Sequence, residues 1–220
     1  MPETWNSSEK FNREAAQWDE NPHRRALAIA VANAIITAAR PAKSTHAMEF
    51  GCGTGLVTLE IAPLVHTLTA IDTSAEMLGV LQGKIRNGGI SNIETRRIDL
   101  TAPLQHPSDS AKRFDLIYSS MTLHHIGDTQ AFLCRLSNML SHGGGIALAD
   151  LDREDGLFHD DPLEKVHHGF DRGELALLLE AAGFQSVKFE TVHIVEKQNR
   201  TGKSAAYPLF LVTATKAASL

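Results

Sequence analysis

Glu49-Phe50-Gly51-Cys52-Gly53-Thr54-Gly55 is the stretch that decides how this chain folds. The apolar run Ala47–Phe50 leads into it and the helical stretch Leu56–Leu64 leads out, so the glycines form a strand-to-helix turn. Glycine permits a tight turn and lets backbone approach a ligand with no Cβ in between. A dinucleotide fingerprint would need a third glycine where Leu56 stands, and a phosphate loop would need Gly-Lys-Ser/Thr. The spacing is instead G-x-G-x-G, with Glu49 two residues before the first glycine. A carboxylate at that entrance repels a pyrophosphate and suits a cationic, amino-bearing ligand.

Outward from the turn, short apolar runs alternate with helical stretches. Thr67–Ile71 precedes Ala75–Arg86, Phe114–Ser119 precedes Ala131–Leu140, and Ile146–Leu151 precedes Glu174–Ala182, with Ile93–Ile98 between the first two pairs. Strands separated by helices need crossover connections, which make a mostly parallel sheet covered on both faces. The tail differs: Val187–Val195 and Leu209–Thr215 are β-rich and joined by the polar stretch Glu196–Ala206, so these two strands should pair antiparallel. Before the turn, Pro22 suits a helix start, and Leu27, Ala30, Val31, Ala34, Ile35 and Ala38 recur as one apolar stripe. The expected fold is α/β, a doubly wound, mostly parallel sheet with an antiparallel C-terminal edge. An N-terminal helical cap would occupy residues 1–42 and the ligand-binding domain residues 43–220. Thr101–Arg113, with Pro103, Pro107, Ser108 and Ser110, reads as a surface loop.

Composition narrows the class. The chain has 220 residues, long enough for one domain with a substantial core. Its 21 Lys+Arg against 26 Asp+Glu give a formal charge of −5, with no basic excess to advertise a nucleic-acid or anionic-membrane partner. Two cysteines, Cys52 and Cys134, are too few for a disulfide framework and suit a reducing compartment. The longest apolar stretch, Ala26–Ile36, is too short to span a bilayer, and the acidic residues before it do not suit a signal peptide. A cytoplasmic protein is expected.

Two further acids close successive strands. Asp72 ends the second run 21 residues past Gly51, where a carboxylate can accept both hydroxyls of a ribose. Asp99 follows the third run and can receive an exocyclic amino group such as that of adenine. With these residues in place, the sequence resembles the class I S-adenosylmethionine-dependent methyltransferases. Glu49–Gly55 looks like their first motif, Ile71–Leu78 like the segment after it, Arg97–Leu100 like the third-strand acid, and Phe114–His125 like the fourth motif. Gly143–Leu151 looks like the fifth strand and Phe170–Phe184 like the helix that follows. The resemblance covers about residues 45 to 216 and implies a seven-stranded sheet whose last strand is antiparallel. It implies S-adenosylmethionine as cofactor, with Glu49, Gly51, Cys52, Gly53 and Gly55 around its methionine part, Asp72 on its ribose, Asp99 and Leu100 at its adenine, and Thr73, Met77 and Ser119 completing the site. Helices resembling Phe11–Asp19 close over the cofactor in the small-molecule branch of that family, which makes Trp18 a candidate lining residue.

The methyl acceptor is expected to be a small molecule. DNA amino-methylating enzymes resemble Asn/Asp-Pro-Pro-Tyr at the fourth motif, where this chain has Ser119-Ser120-Met121-Thr122. A methyltransferase on tRNA or protein, a cofactor-binding module without turnover, and a nucleotide-dependent oxidoreductase stand as alternatives. His124 and His125 follow the fourth strand, where either can deprotonate or hydrogen-bond an acceptor. His159 and His168, in the acidic segment Asp152–Phe170 beyond the fifth strand, are candidates to face the substrate. That segment has the chemistry of metal ligands but not a recognised ligand spacing, so no metal is expected. Tyr118 and Cys134 read as core, and Cys52 as small-residue packing in the turn rather than a reactive thiol.

Overall fold

A computed structural model describes residues 8–103 and 113–217. Seven strands form one sheet: β1 (His46–Phe50), β2 (Thr67–Asp72), β3 (Ile93–Arg97), β4 (Phe114–Ser120), β5 (Leu140–Leu151), β6 (Phe184–Gln198) and β7 (Ser204–Lys216). Their order is β3-β2-β1-β4-β5-β7-β6. The first five are parallel, and β7 enters between β5 and β6 antiparallel to both. The helices are α1 (Glu9–Glu14), α2 (Pro22–Ala39), α3 (Thr58–Ile61), α4 (Ala75–Gly88), α5 (Thr129–Met139) and α6 (Arg172–Ala181). The expected doubly wound sheet with its antiparallel end is thus the fold observed.

Side chains alternate between two hydrophobic layers. Met48 and Phe50 of β1 face α5 and α6, where Phe132, Leu133, Leu136, Leu175 and Leu179 are buried. Ala47 faces the other layer with Val31 and Ile35 of α2, Ile61 of α3 and Leu78 and Leu81 of α4. Glu49 falls on this second face by the period of two, beside Tyr118, its register partner on β4. Tyr118 is fully buried, as its place within a strand implied.

Several elements depart from their expected limits. The residues of α2 that reach the core are Ala28, Val31, Ala32 and Ile35, a face rotated from the predicted stripe so that Ala38 is exposed and Leu27 half-buried. Small Ala28 and Ala32 are buried in the layer between α2 and the sheet; counting apolar residues alone does not separate them from Ala30 and Ala34. Asn21 caps this helix, accepting from the backbone of His23 and Arg24, and Pro22 takes the first helical position. The helix after the glycine turn is short, because Pro63 converts its end to a 3-10 turn over Ala62–Leu64. The terminal hairpin is longer than expected, pairing through Glu196↔Ala206 to Gln198↔Ser204. Asn199 closes it by accepting from the backbone of Thr201 and Lys203. Of the predicted surface loop, residues 104–112 lie outside the described residues, as does Trp5. Among the described residues no helix is long and apolar enough to cross a membrane.

Candidate active site

The chain runs outward from β1 to β2 and β3, then crosses back to β4 on the other side of β1. Open α/β sheets bind ligands in the crevice that this reversal opens at the carboxyl ends of the strands. A cavity of about 850 Å³ lies there, bordered by the glycine turn, the ends of β2 and β4, the segment after β5, the β6 ribbon and the N-terminal residues Lys10, Phe11 and Trp18.

The turn is held open by backbone conformation and by its neighbours. Gly51 has φ +64°, and a Cβ there would overlap the side chain of Thr122. Cys52 N–H donates to Ile71 O at 3.1 Å, which ties the turn to β2. Gly53, at φ +53°, has no atom within 4 Å of where a Cβ would sit, so its backbone is bare towards the cavity. That bare stretch is the close approach a bound ligand needs.

The three acids border the same cavity but differ in environment. Glu49 is 2% exposed and accepts from Thr58 Oγ1 at 2.6 Å. Burial pushes its carboxyl up to about 8, against the opposing influence of the Thr58 and Tyr118 hydroxyls. Asp72 accepts from Gly53 N–H at 2.7 Å and from Ser74 N–H at 2.8 Å. Burial raises its pKa, and those backbone donors partly offset the rise. Asp99 is exposed and closes its own turn by accepting from Thr101 N–H and Oγ1. Thr73, Met77 and Leu100 also border the cavity. Burial, with Glu49 and Asp72 nearby, pushes the Cys52 thiol well above its ordinary range, which disfavours the thiolate.

Two residues expected on the cofactor, Gly55 and Ser119, do not line the cavity and pack behind the turn. Gly55, at φ +85°, passes against Leu81, and Ser119 Oγ donates to Phe50 O at 2.8 Å.

The N-terminal residues are fastened to this half of the site. Asp19 accepts from Thr54 Oγ1 at 2.6 Å and pairs with Lys84, while Ser74 Oγ donates to Asn12 Oδ1 at 2.6 Å. Trp18 borders the cavity with the Arg24 guanidinium 3.6 Å above its ring.

Across the cavity lies a histidine cluster. His124 is 2% exposed, and its Nδ1 lies 2.7 Å from Asp150 Oδ1. Asp150, fully buried on β5, also accepts from the backbone of His124 and Leu151. The His125 ring stands 4.2 Å from that of His124 and packs edge-on against Phe11 at 5.4 Å. Burial, with His124 the next cause, pushes His125 down to about 2, so it is neutral. His159 lies 5.1 Å from His124, its Nδ1 3.4 Å from Glu164 Oε2. Lys10 Nζ reaches the same oxygen at 3.0 Å. His159 and Lys10 together hold the Glu164 carboxyl at about 2. His168, by contrast, packs its ring against Gly156 and does not line the cavity.

Apart from Glu164, several acids of the 152–170 segment are held by other partners. Arg172 grips Asp152 with two bonds of 2.7 Å, Lys197 pairs with Asp160, and Glu154 accepts from Leu157 and Phe158 N–H. Among the described residues no group of three or more His, Cys, Asp or Glu is placed to hold a metal ion.

Sequence reasoning missed Asp150, Glu164 and Lys10. Asp150 carried a signal: it is the one charge in Ile146-Ala147-Leu148-Ala149-Asp150-Leu151, and a carboxylate buried in an apolar strand needs partners.

Comparison with known proteins agrees with this geometry. A family profile described as "Methyltransferase domain" matches residues 16–189. An uncharacterized methyltransferase of Schizosaccharomyces pombe is 32% identical over 137 residues, covering 56% of this chain and 46% of that protein. The chain spans less than half the length of several curated relatives that it matches. Among solved structures, the DhpI–SAH complex has a TM-score of 0.70 at 21% identity, covering 96% of this chain and 95% of that one. The N-methyltransferase NodS of Bradyrhizobium japonicum, in complex with S-adenosyl-L-homocysteine, has a TM-score of 0.68 at 19% identity, covering 96% and 98%. The profile spans most of the chain, and these structures superpose on nearly all of it. The chain therefore belongs to the methyltransferase-domain family, built on the class I S-adenosylmethionine-dependent fold.

Proposed function

We propose that this protein transfers a methyl group from S-adenosylmethionine to a small-molecule acceptor. The observation that carries the reading is that Glu49, Asp72, Asp99 and the bare backbone of Gly53 border one cavity whose opposite wall is the histidine cluster under Phe11. Its volume of about 850 Å³ is near the upper end of the roughly 300–1,000 Å³ usual for small-ligand sites, which suits two ligands side by side.

The donor-side residues fit the cofactor in kind. Glu49 offers a carboxylate to an ammonium group, Asp72 has lone pairs left for ribose hydroxyls, and the glycine turn offers close backbone approach. When bound, S-adenosylmethionine supplies a methyl group already activated on a sulfonium, so the protein creates no leaving group. What remains for the chain is alignment and the exclusion of water. Proximity and orientation supply roughly 7–11 kcal/mol in favourable cases. Phe11 and Trp18, pinned through Asn12 and Asp19, close the cavity from the N-terminal side. An acceptor carrying a proton also needs a base, and the histidine cluster lies where one is useful.

Calorimetric titration tests the cofactor: S-adenosylhomocysteine should bind and nicotinamide dinucleotides should not. Incubation with methyl-labelled cofactor and fractionated cell extract tests the acceptor. Label in the small-molecule fraction is expected; label confined to RNA or protein would overturn that part of the reading.

A further inference from the structure

Two imidazoles in the cavity wall are oriented in the same way, a pattern that alignment of a methyl donor does not require. Asp150 receives three donors, the backbone N–H of His124 and Leu151 and the His124 ring at Nδ1. A ring that gives its Nδ1–H to a carboxylate keeps its lone pair on Nε2. His159 repeats the arrangement: Nδ1 faces Glu164, which Lys10 fixes from α1. Its Nε2 is buried with no hydrogen-bond partner. A buried polar atom left unsatisfied is costly, and the residue that carries it borders a ligand cavity.

We infer that His124 and His159 form a two-point seat for the acceptor, each offering an Nε2 lone pair, so that the acceptor is a protic N–H or O–H nucleophile rather than a carboxylate. This rests on the methyl-transfer reading above and names its substrate class. The cavity's cations do not offer a rival carboxylate seat: Lys10 is spent on Glu164, Lys197 on Asp160 and Arg24 on Glu14. The groups around the two rings are Asp150, Glu164, Lys10 and His125, and His125 is held neutral. The His125 ring touches Phe11, and Phe158 packs against His159, so the walls around the seat are aromatic and suit an aromatic or apolar carrier.

His124 is the base of the pair, since it follows β4 directly, next to Thr122 and the glycine turn. Asp150 is its positioning residue. In the transfer the nucleophile's lone pair forms the new bond to the methyl carbon as the carbon–sulfur bond breaks, and sulfur keeps that pair. The nucleophile's proton passes to His124 Nε2 and then to water, leaving the methylated product, the thioether and one proton.

The test reads the rings rather than turnover. Nitrogen-15 spectra of histidine-labelled protein should show the Nδ1–H tautomer at His124 and His159; an Nε2–H tautomer at both would overturn the seat. Asp150→Asn should shift the His124 tautomer balance, which a merely structural role would leave alone. If that variant fails to fold, the wild-type spectra still decide. Benzylamine, benzyl alcohol and benzoate are then added to protein saturated with S-adenosylhomocysteine. Benzylamine or benzyl alcohol should move both ring signals, and which of the two does so separates nitrogen from oxygen acceptors. A response to benzoate alone, or to none of the three while S-adenosylhomocysteine binds, overturns the seat and leaves the methyltransferase reading standing. Failure of S-adenosylhomocysteine to bind would instead overturn that underlying reading.

Discussion

Glu49→Gln isolates the charge that the proposed function sets beside the donor. In the ligand-free protein, burial holds the Glu49 carboxyl at about 8, so near pH 7 roughly a tenth of it is ionised. A cation seated against it favours the ionised form and returns its pKa towards the ordinary carboxylate range. Binding at pH 7 should then release about 0.9 proton per ligand. Over pH 6 to 7 the ionised fraction rises roughly ninefold, so affinity should rise by nearly that factor, a little over 1 kcal/mol. Calorimetry of S-adenosylhomocysteine binding in buffers of different ionisation enthalpy measures the proton directly. Glu49→Gln should bind more weakly above pH 7, release no such proton and show a flat profile from pH 6 to 7. Wild type releasing no proton, or the variant releasing the same fraction, would refute the reasoning. The same shift has a stability sign. A carboxyl whose folded pKa is raised contributes stability that is fully present below the ordinary value near 4.5 and is lost as pH rises through about 8. The ligand-free variant should therefore lose less melting temperature than wild type between pH 6 and 8.5.

Three other substitutions test the placement of the turn and the frame around it. Asp72→Ala removes the acceptor for Gly53 and Ser74 N–H as well as for a ribose, and should weaken S-adenosylhomocysteine binding by roughly 1–3 kcal/mol; unchanged calorimetric affinity would contradict it. Gly51→Ala forces a side chain into the left-handed region and into Thr122, and should lower stability by about 1–3 kcal/mol along with cofactor affinity. A denaturant titration with the wild-type midpoint would count against that conformation. Arg40 ends α2 in the left-handed region at φ 47°, so Arg40→Gly should add about 1 kcal/mol, or roughly 2–4 °C in a thermal melt, without changing cofactor affinity.

That the acids of the glycine-turn side would meet in one place was legible because these residues follow from chain-local patterns. A glycine turn after one strand and an acid at the end of each of the next two must meet at one edge of a parallel sheet, whatever the helices do. Glu49, Asp72 and Asp99 accordingly border one cavity. Within that edge, the sequence could not separate residues that touch a ligand from residues that shape the turn. Gly55 and Ser119 belong to the second kind, because what they pack on, Leu81 and the carbonyl of Phe50, lies far along the chain. The histidines show the same limit more sharply. His124 and His125 are adjacent and alike in sequence, yet one is tied to Asp150 and the other packs against Phe11. His159 and His168 share one segment without periodicity, and nothing local tells which of them turns to the cavity.

The pairings that distinguish these histidines come from elements distant from them in the sequence. Glu164 is held by Lys10, 154 residues away, and Asp150 reaches His124 from the neighbouring strand. The short helix α1 supplies Lys10 to the histidine side and, two residues on, Asn12 to Ser74 beside the glycine turn. This six-residue helix therefore touches both halves of the cavity, through Lys10 and Phe11 on one side and Asn12 on the other, so it cannot lift from one half without disturbing the other. Asp19, bonded to Thr54 and Lys84, anchors the next turn to the donor side as well. A helix of this length gains little from its own hydrogen bonds, since isolated helices below about 12–15 residues are marginal in water. Its position rests on these polar contacts and on Phe11 against Trp18 and His125. Contacts of that kind open more readily than a packed core.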